Sequence, residues 1–92
     1  MPDVKPKVLL VEDDPFMTSL MADAFEKEGF EVVLADDGDV AIAKMKEVKP
    51  DIAVMDILLP KKNGIEAIRE MRSLPEGATL PILIISNLED AS

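Results

Sequence analysis

The residues of this sequence that could carry chemistry are carboxylates and one hydroxyl at the ends of apolar segments. Glu12 and Asp13 follow KVLLV, Asp56 follows IAVM, and Ser86 ends ILIIS. Carboxylates that crowd together raise each other's pKa unless a cation joins them. Hard oxygen ligands without histidine or cysteine suit Mg²⁺, which binds through few carboxylates and keeps several waters. These residues therefore predict a Mg²⁺ site, provided that the fold brings the segment ends together.

The order of the predicted elements supplies such a fold. Strands are predicted over 7–11, 30–35, 51–57 and 82–86. Helices are predicted over 15–28, 40–48 and 65–74. Strands that alternate with helices of about ten residues predict βαβ units and a parallel sheet, and right-handed crossovers make this a doubly wound α/β fold. Because ligands bind beyond the carboxyl ends of such strands, the acids and the hydroxyl are expected at one edge of the sheet.

The helical segments also carry apolar faces that should cover this sheet. The residues expected to point inward are Phe16, Leu20, Met21, Ala24 and Phe25 in the first helix, Ala41, Ile42 and Met45 in the second, and Ile65, Ile68 and Met71 in the third. Phenylalanines are the only aromatic residues, so the core is predicted to be aliphatic and rich in methionine.

Some of the acids and turn residues have an ordinary structural interpretation. Asp14 stands directly before Pro15, which is typical of an N-cap followed by the first helical residue. Glu12 and Asp13 precede this cap, so helix capping explains them less well. The loop from Pro60 to Gly64 could be a simple turn between a strand and a helix.

The composition narrows the function further. The chain of 92 residues has the length of one small domain, and it contains no cysteine and no histidine. Disulfides, histidine acid–base chemistry and histidine zinc sites are therefore excluded. The net charge of −9 argues against binding to nucleic acid or to an anionic membrane surface. Without a membrane span or an apolar signal region, the expected compartment is the cytoplasm.

Other sites at the ends of strands can be compared with this pattern. A dinucleotide site needs a glycine-rich turn after the first strand, and EDDPFM contains no glycine. The P-loop motif is also absent. A phosphatase of the haloacid dehalogenase type is similar in having a nucleophilic aspartate at a strand end, but it needs a second aspartate where this chain has Leu58.

The sequence resembles the receiver domain of two-component response regulators. The matching segments are VLLVEDD (8–14), DDG (36–38), PDIAVMDILLPKKNG (50–64) and LPILIIS (80–86). The resemblance implies a flavodoxin-like fold in which Asp56 accepts a phosphoryl group from the phosphohistidine of a partner kinase or phosphotransfer protein. It also implies that Glu12, Asp13, Asp56 and the backbone carbonyl of Leu58 hold Mg²⁺, and that Ser86 contacts the phosphoryl group and takes part in switching.

The family fold has five strands in the order 2-1-3-4-5, and here the predicted strands end at Ser86, six residues before the last one. The resemblance therefore predicts a single receiver-like domain over 1–92 that lacks the fifth strand, its lysine and the last helices. Phosphotransfer is expected to weaken without that lysine. The uncovered fourth strand and sheet face predict a homodimer or a domain-swapped oligomer.

Two functions of different classes follow. The first is a phosphoacceptor switch, which is not an enzyme in the usual sense although it could catalyse its own phosphorylation and dephosphorylation weakly. The second is a receiver-like scaffold whose self-association matters and whose phosphorylation does not. The complete set of acids favours the switch, and the expected loss of the lysine favours the scaffold.

Overall fold

The four predicted apolar segments form one parallel sheet. A computed structural model of the chain describes residues 4–59 and 62–85. The strands are β1 (Lys7–Val11), β2 (Glu31–Ala35), β3 (Ile52–Asp56) and β4 (Ile82–Ile85). The helices are α1 (Pro15–Lys27), α2 (Gly38–Val48) and α3 (Gly64–Arg72), and a 3₁₀ helix over Pro75–Gly77 precedes β4.

The order of the strands places the predicted site at one edge of the sheet. The order is β2-β1-β3-β4, and each neighbouring pair is parallel. In the register, Val11 lies opposite Ala35 on one side and Met55 on the other, while Asp56 lies opposite Ile85. The carboxyl ends of β1, β3 and β4 therefore meet at the same edge, which confirms the predicted α/β architecture.

The central strand β1 is buried on both faces, as its continuous apolar sequence predicts. Leu9 and Val11 pack with residues of α2 and α3, whereas Val8 and Leu10 pack on the face that α1 covers. All four side chains are at most 1% exposed. Full burial of each such side chain contributes about 1.5–3 kcal/mol to the stability of the fold. The packing of β1 therefore fixes the position of the strand that leads into Glu12 and Asp13.

Capping side chains determine where the helices begin. Asp14 caps α1, as predicted, with its Oδ1 accepting a hydrogen bond from Phe16 N at 3.0 Å. The second helix begins two residues earlier than predicted because Asp37 caps it, with Oδ1 accepting from Val40 N at 2.8 Å. The three helices described are 13, 11 and 9 residues long. Within the described ranges, none has the length and apolarity needed to cross a bilayer.

The face that α1 presents to the sheet differs from the predicted one. Met21 and Phe25 pack against the sheet, as expected, but Phe16 and Leu20 are 71% and 56% exposed. The prediction for these two residues, and for Ala24, which is exposed as well, was wrong because α1 carries two apolar stripes with the same spacing, and only one of them faces the strands. Among the described helices, α1 alone contributes residues to this face. Ile65 of α3 was likewise expected inward and is 47% exposed.

Candidate metal site at the carboxyl ends of β1 and β3

Three carboxylates meet where β1 and β3 end. Glu12, Asp13 and Asp56 each place one oxygen within 4.8 Å of the oxygens of the other two. They converge because Glu12 and Asp13 directly follow β1, while Asp56 is the last residue of the neighbouring strand β3. Asp13 is exposed and the other two are partly buried, so the cluster is open to solvent on one side. This donor set of hard oxygens fits Mg²⁺.

Backbone and side-chain hydrogen bonds hold the loop between β1 and α1 in place. Glu12 N donates to Ala35 O at 3.0 Å, which extends the pairing with β2 by one residue. Thr18 Oγ1 in the first turns of α1 donates to Glu12 O at 3.3 Å. The Glu12 carboxylate accepts a further bond from Asp14 N at 3.1 Å. The position of Glu12 is thus set by the sheet, the helix and its own loop.

Burial and neighbouring charge both raise the pKa of Glu12. Partial burial raises the pKa of the Glu12 carboxyl above its ordinary value of 4.5, and the hydrogen bond from Asp14 N opposes this rise. The negative charges of Asp56 and Asp13 raise the pKa further. A cation among these oxygens would offset the repulsion, so the electrostatics of the cluster favour a bound divalent ion.

The raised pKa of Glu12 predicts a dependence of stability on pH in the metal-free protein. A carboxyl whose pKa is higher in the folded state contributes stability below its unfolded pKa, and this contribution is lost as the pH rises through the folded pKa. We therefore expect Glu12→Gln to become more stable relative to the wild type as the pH rises above the ordinary pKa of this carboxyl. Urea unfolding in the presence of a chelator, followed by circular dichroism, measures this difference.

Glu31→Gln is the matched control for this experiment. Glu31 is an exposed acid in β2, and the substitution removes the same charge away from the cluster. A pH-dependent gain of equal size in both variants would contradict the assignment to the partly buried Glu12 and its acidic neighbours.

The backbone after Asp56 turns tightly. Leu58 N donates to Asp56 Oδ1 at 3.2 Å, and Leu58 itself is 62% exposed. The role of the Leu58 carbonyl as a metal ligand stays a prediction. Ser86, the predicted contact of the phosphoryl group, lies outside the described residues, directly after the strand residue that pairs with Asp56.

Gly64 packs so closely against the backbone of Asp56 and Ile57 that no side chain fits there, so its role goes beyond that of a turn residue. Its N–H donates to Ile57 O at 2.7 Å, which closes the loop at its base. A Cβ at this position would lie 2.6 Å from Asp56 O and 2.8 Å from Ile57 Cα. The start of α3 therefore rests directly on the backbone of Asp56, and a side chain would push the two apart.

One charged residue between Asp56 and α3 was missed in the sequence. Lys62 Nζ lies 2.6 Å from Glu70 Oε1 in α3 and 3.7 Å from Asp39 Oδ1 in α2. The hydrogen bond to Glu70 is the main cause of a raised pKa of Lys62. In the sequence, the spacing of four between Lys62 and Glu66 was the only sign of an ion pair. The observed partners could not be predicted from spacing, because Glu70 is eight residues away and Asp39 lies in α2.

Comparisons with known proteins agree with this fold. The family profile described as response regulator receiver domain matches residues 8–92. CheY, a chemotaxis protein of Thermotoga maritima, is 43% identical over 75 residues, covering 80% of this chain and 62% of its own length. TrcR, a transcriptional regulatory protein of Mycobacterium tuberculosis, is 47% identical over 66 residues, covering 72% of this chain and 26% of its own.

Solved structures extend the likeness to three dimensions. The receiver domain of the sensor histidine kinase PA1611 from Pseudomonas aeruginosa superposes with a TM-score of 0.85 at 31% identity, covering 88% of this chain and 66% of that one. That structure is described as having a magnesium ion coordinated in its active site cleft. CheY4 of Vibrio cholerae also has a TM-score of 0.85, at 27% identity, covering 95% of this chain and 75% of that one.

The fold, the acidic edge and the family match together define the class of protein. The chain belongs to the receiver domain family of two-component response regulators. It spans about three fifths of the length of CheY and about a quarter of the length of TrcR. Receiver domains in general act as phosphoacceptor switches that interact with histidine kinases or phosphotransfer proteins.

Proposed function

We propose that residues 1–92 form a single receiver domain that accepts a phosphoryl group on Asp56. The donor is the phosphohistidine of a sensor histidine kinase or a phosphotransfer protein, since this chain contains no histidine of its own. The ligands of Mg²⁺ are Glu12, Asp13, Asp56 and the backbone carbonyl of Leu58. The observation that carries the proposal is the convergence of three carboxylate oxygens within 4.8 Å at the ends of adjacent strands.

The transfer exchanges one bond to phosphorus for another. A carboxylate oxygen of Asp56 attacks the phosphorus, the bond from phosphorus to the histidine nitrogen breaks, and its electron pair stays on the imidazole. A carboxylate is a weak nucleophile, so position and charge neutralisation must supply most of the acceleration. Bound Mg²⁺ would supply the positive charge between the acids and the phosphoryl oxygens.

The chain's own residues supply the positioning. Strand β3 directs Asp56 toward the acidic edge, and the bond from Leu58 N orients its Oδ1. The phosphorylated state carries about −1.5 to −2 charge and three strong acceptor oxygens. Ser86 is proposed to bond one of these oxygens. The product is a signalling state, which makes the chain a switch in the cytoplasm with no direct contact to nucleic acid or membrane.

Beryllofluoride, a mimic of a phosphoryl group, tests this function without a partner protein. We expect the wild-type chain to bind it only when Mg²⁺ is present, with new bound resonances in the fluorine NMR spectrum. Asp56→Asn keeps the size of the side chain and removes the attacking carboxylate, so it should show no bound resonances. Bound signals of equal intensity in both proteins would rule out Asp56 as the acceptor.

Self-association is a second candidate function, favoured by the exposure of β4. Among the described strands β4 pairs only with β3, and Leu83 and Ile84 are 54% and 42% exposed. We propose a homodimer or domain-swapped oligomer of the 92-residue chain that covers this strand and the adjoining sheet face. Size-exclusion chromatography with light scattering tests it, with refractive-index detection because the chain lacks tryptophan and tyrosine. A folded monomer at high protein concentration would exclude it.

A further inference from the structure

Lys62 lies two residues before the start of α3, on the part of the chain that follows Asp56, and its side chain lies between α2 and α3. Its ammonium group contacts Glu70 of α3 and Asp39 of α2, at 2.6 Å and 3.7 Å respectively. The Lys62 side chain is 26% exposed, whereas Glu70 and Asp39 are 46% and 63% exposed. Lys62 is therefore the more enclosed member of this ion-pair group, and it joins the loop after β3 to both α2 and α3.

The main chain of Lys62 is held as closely as its side chain. A Cβ on Gly38, the first residue of α2, would lie 2.8 Å from Lys62 O and 3.0 Å from Lys62 Cβ. The absence of a side chain at Gly38 thus allows α2 to begin directly against Lys62. The neighbouring Asp39 then reaches the ammonium group from the same turn of the helix.

This arrangement is continuous with Asp56. Asn63, the next residue, begins α3 as part of a capping box, and Gly64 follows with its N–H bonded to Ile57 O at 2.7 Å. Gly64 also rests on the carbonyl of Asp56. Lys62 is therefore connected to the backbone of Asp56 through only two residues, Asn63 and Gly64. A displacement of Lys62 would change the position of Gly64 and, through it, the backbone that leads from Asp56 to Leu58.

We propose that Lys62 is a positioning residue of the metal site, which it orders by clamping residues 62–64, where the chain enters α3, against α2 and α3. The inference rests on the proposed function, since it concerns the Mg²⁺ that Asp56 and Leu58 would hold. The clamp sets the backbone geometry after Asp56 before any metal binds. An exposed ion pair without such a role contributes little to stability, so the effect is expected in the loop and the metal affinity.

The sign of the change in Mg²⁺ affinity separates this role from simple electrostatics. Lys62→Gln removes a positive charge from the protein, and charge alone would make the acidic cluster bind Mg²⁺ more tightly. A lost clamp has the opposite effect, and we expect the dissociation constant to rise about threefold to fivefold. Lys62→Arg keeps the charge and can reach both carboxylates, so it should restore the affinity to near the wild-type value.

The experiment combines a calorimetric Mg²⁺ titration with amide hydrogen exchange in the metal-free protein. Lys62→Gln should speed the exchange of the Gly64 amide several-fold, and Lys62→Arg should not. Lys27→Gln is the control for loss of charge, because Lys27 forms a more exposed ion pair with Asp23 on α1 at 3.1 Å, away from the loop. Both readouts should stay at the wild-type level in this control.

The outcomes distinguish this inference from the function on which it rests. If the wild type binds Mg²⁺ and Lys62→Gln binds it equally or more tightly, the positioning role is overturned while the proposed function stands. Unchanged exchange of the Gly64 amide in Lys62→Gln would overturn the clamp directly. Failure of the wild type to bind Mg²⁺ would overturn the proposed metal site itself, and the role of Lys62 toward it.

Discussion

Asp13→Asn is expected to weaken Mg²⁺ binding by at least about tenfold. Changes at residues that only support metal ligands typically cost 10–100-fold in affinity, and Asp13 is proposed to be a ligand itself. Its carboxylate shares the cluster with Glu12 and Asp56, with all three oxygens within 4.8 Å of one another. The substitution keeps the shape of the side chain and removes one of the charges that attract the ion. Isothermal titration calorimetry measures the loss, since the chain has no tryptophan or tyrosine to report it.

Asp14→Asn is the control that the chain offers for this prediction. Asp14 is the adjacent residue and carries the same charge, but its carboxylate caps α1 through Phe16 N. Asparagine caps helices as well as aspartate does, so Asp14→Asn should keep the fold and most of the Mg²⁺ affinity. An equal loss in the two variants would show that net charge rather than ligation controls binding.

Gly64→Ala is expected to have the second large effect, on both stability and the site. The new Cβ would lie 2.6 Å from Asp56 O and 2.8 Å from Ile57 Cα, which are backbone atoms that cannot rotate away. Overpacking of this kind typically costs about 1–3 kcal/mol of unfolding free energy. Because the displaced atoms belong to Asp56 and its neighbour, Mg²⁺ affinity should fall as well. Urea unfolding and a Mg²⁺ titration measure the two effects.

Gly29→Ala separates these two effects. Gly29 has a φ of 94°, so alanine there is strained, but its Cβ would meet no atom within 4 Å. The strain of a left-handed residue costs about 1–2 kcal/mol, and Gly29 lies between α1 and β2, away from the cluster. We expect a comparable loss of stability with unchanged Mg²⁺ affinity. A parallel loss of affinity in this control would mean that the site responds to destabilisation in general.

The sequence was sufficient for the features that depend on local order. Apolar strands alternating with helices predict a parallel sheet, and the parallel sheet places Glu12, Asp13 and Asp56 at one edge whatever the details of packing. The cap at Asp14 is equally local, since it needs only its own side chain and the first turn of α1. These features follow from neighbours along the chain.

Features that depend on packing between distant segments were beyond the sequence. The buried stripe of α1 could have contained Phe16 and Leu20 or Met21 and Phe25, and only the rotation of the helix on the sheet decides between them. The ion-pair partners of Lys62 are Asp39 in α2 and Glu70 in α3, and neither lies at a helical i, i+3 or i, i+4 spacing from it. The close approach of Gly64 to Asp56 likewise arises from the return of the chain after the loop.

The most direct test of the proposed function is the incubation of the wild-type chain and Asp56→Asn with acetyl phosphate and Mg²⁺, followed by intact mass spectrometry. The proposed function predicts that the wild type gains the mass of one phosphoryl group only when Mg²⁺ is present. The adduct should map to Asp56 after proteolysis, and Asp56→Asn should gain none. Equal labelling of the two proteins, or labelling that ignores the removal of Mg²⁺ by a chelator, would contradict it.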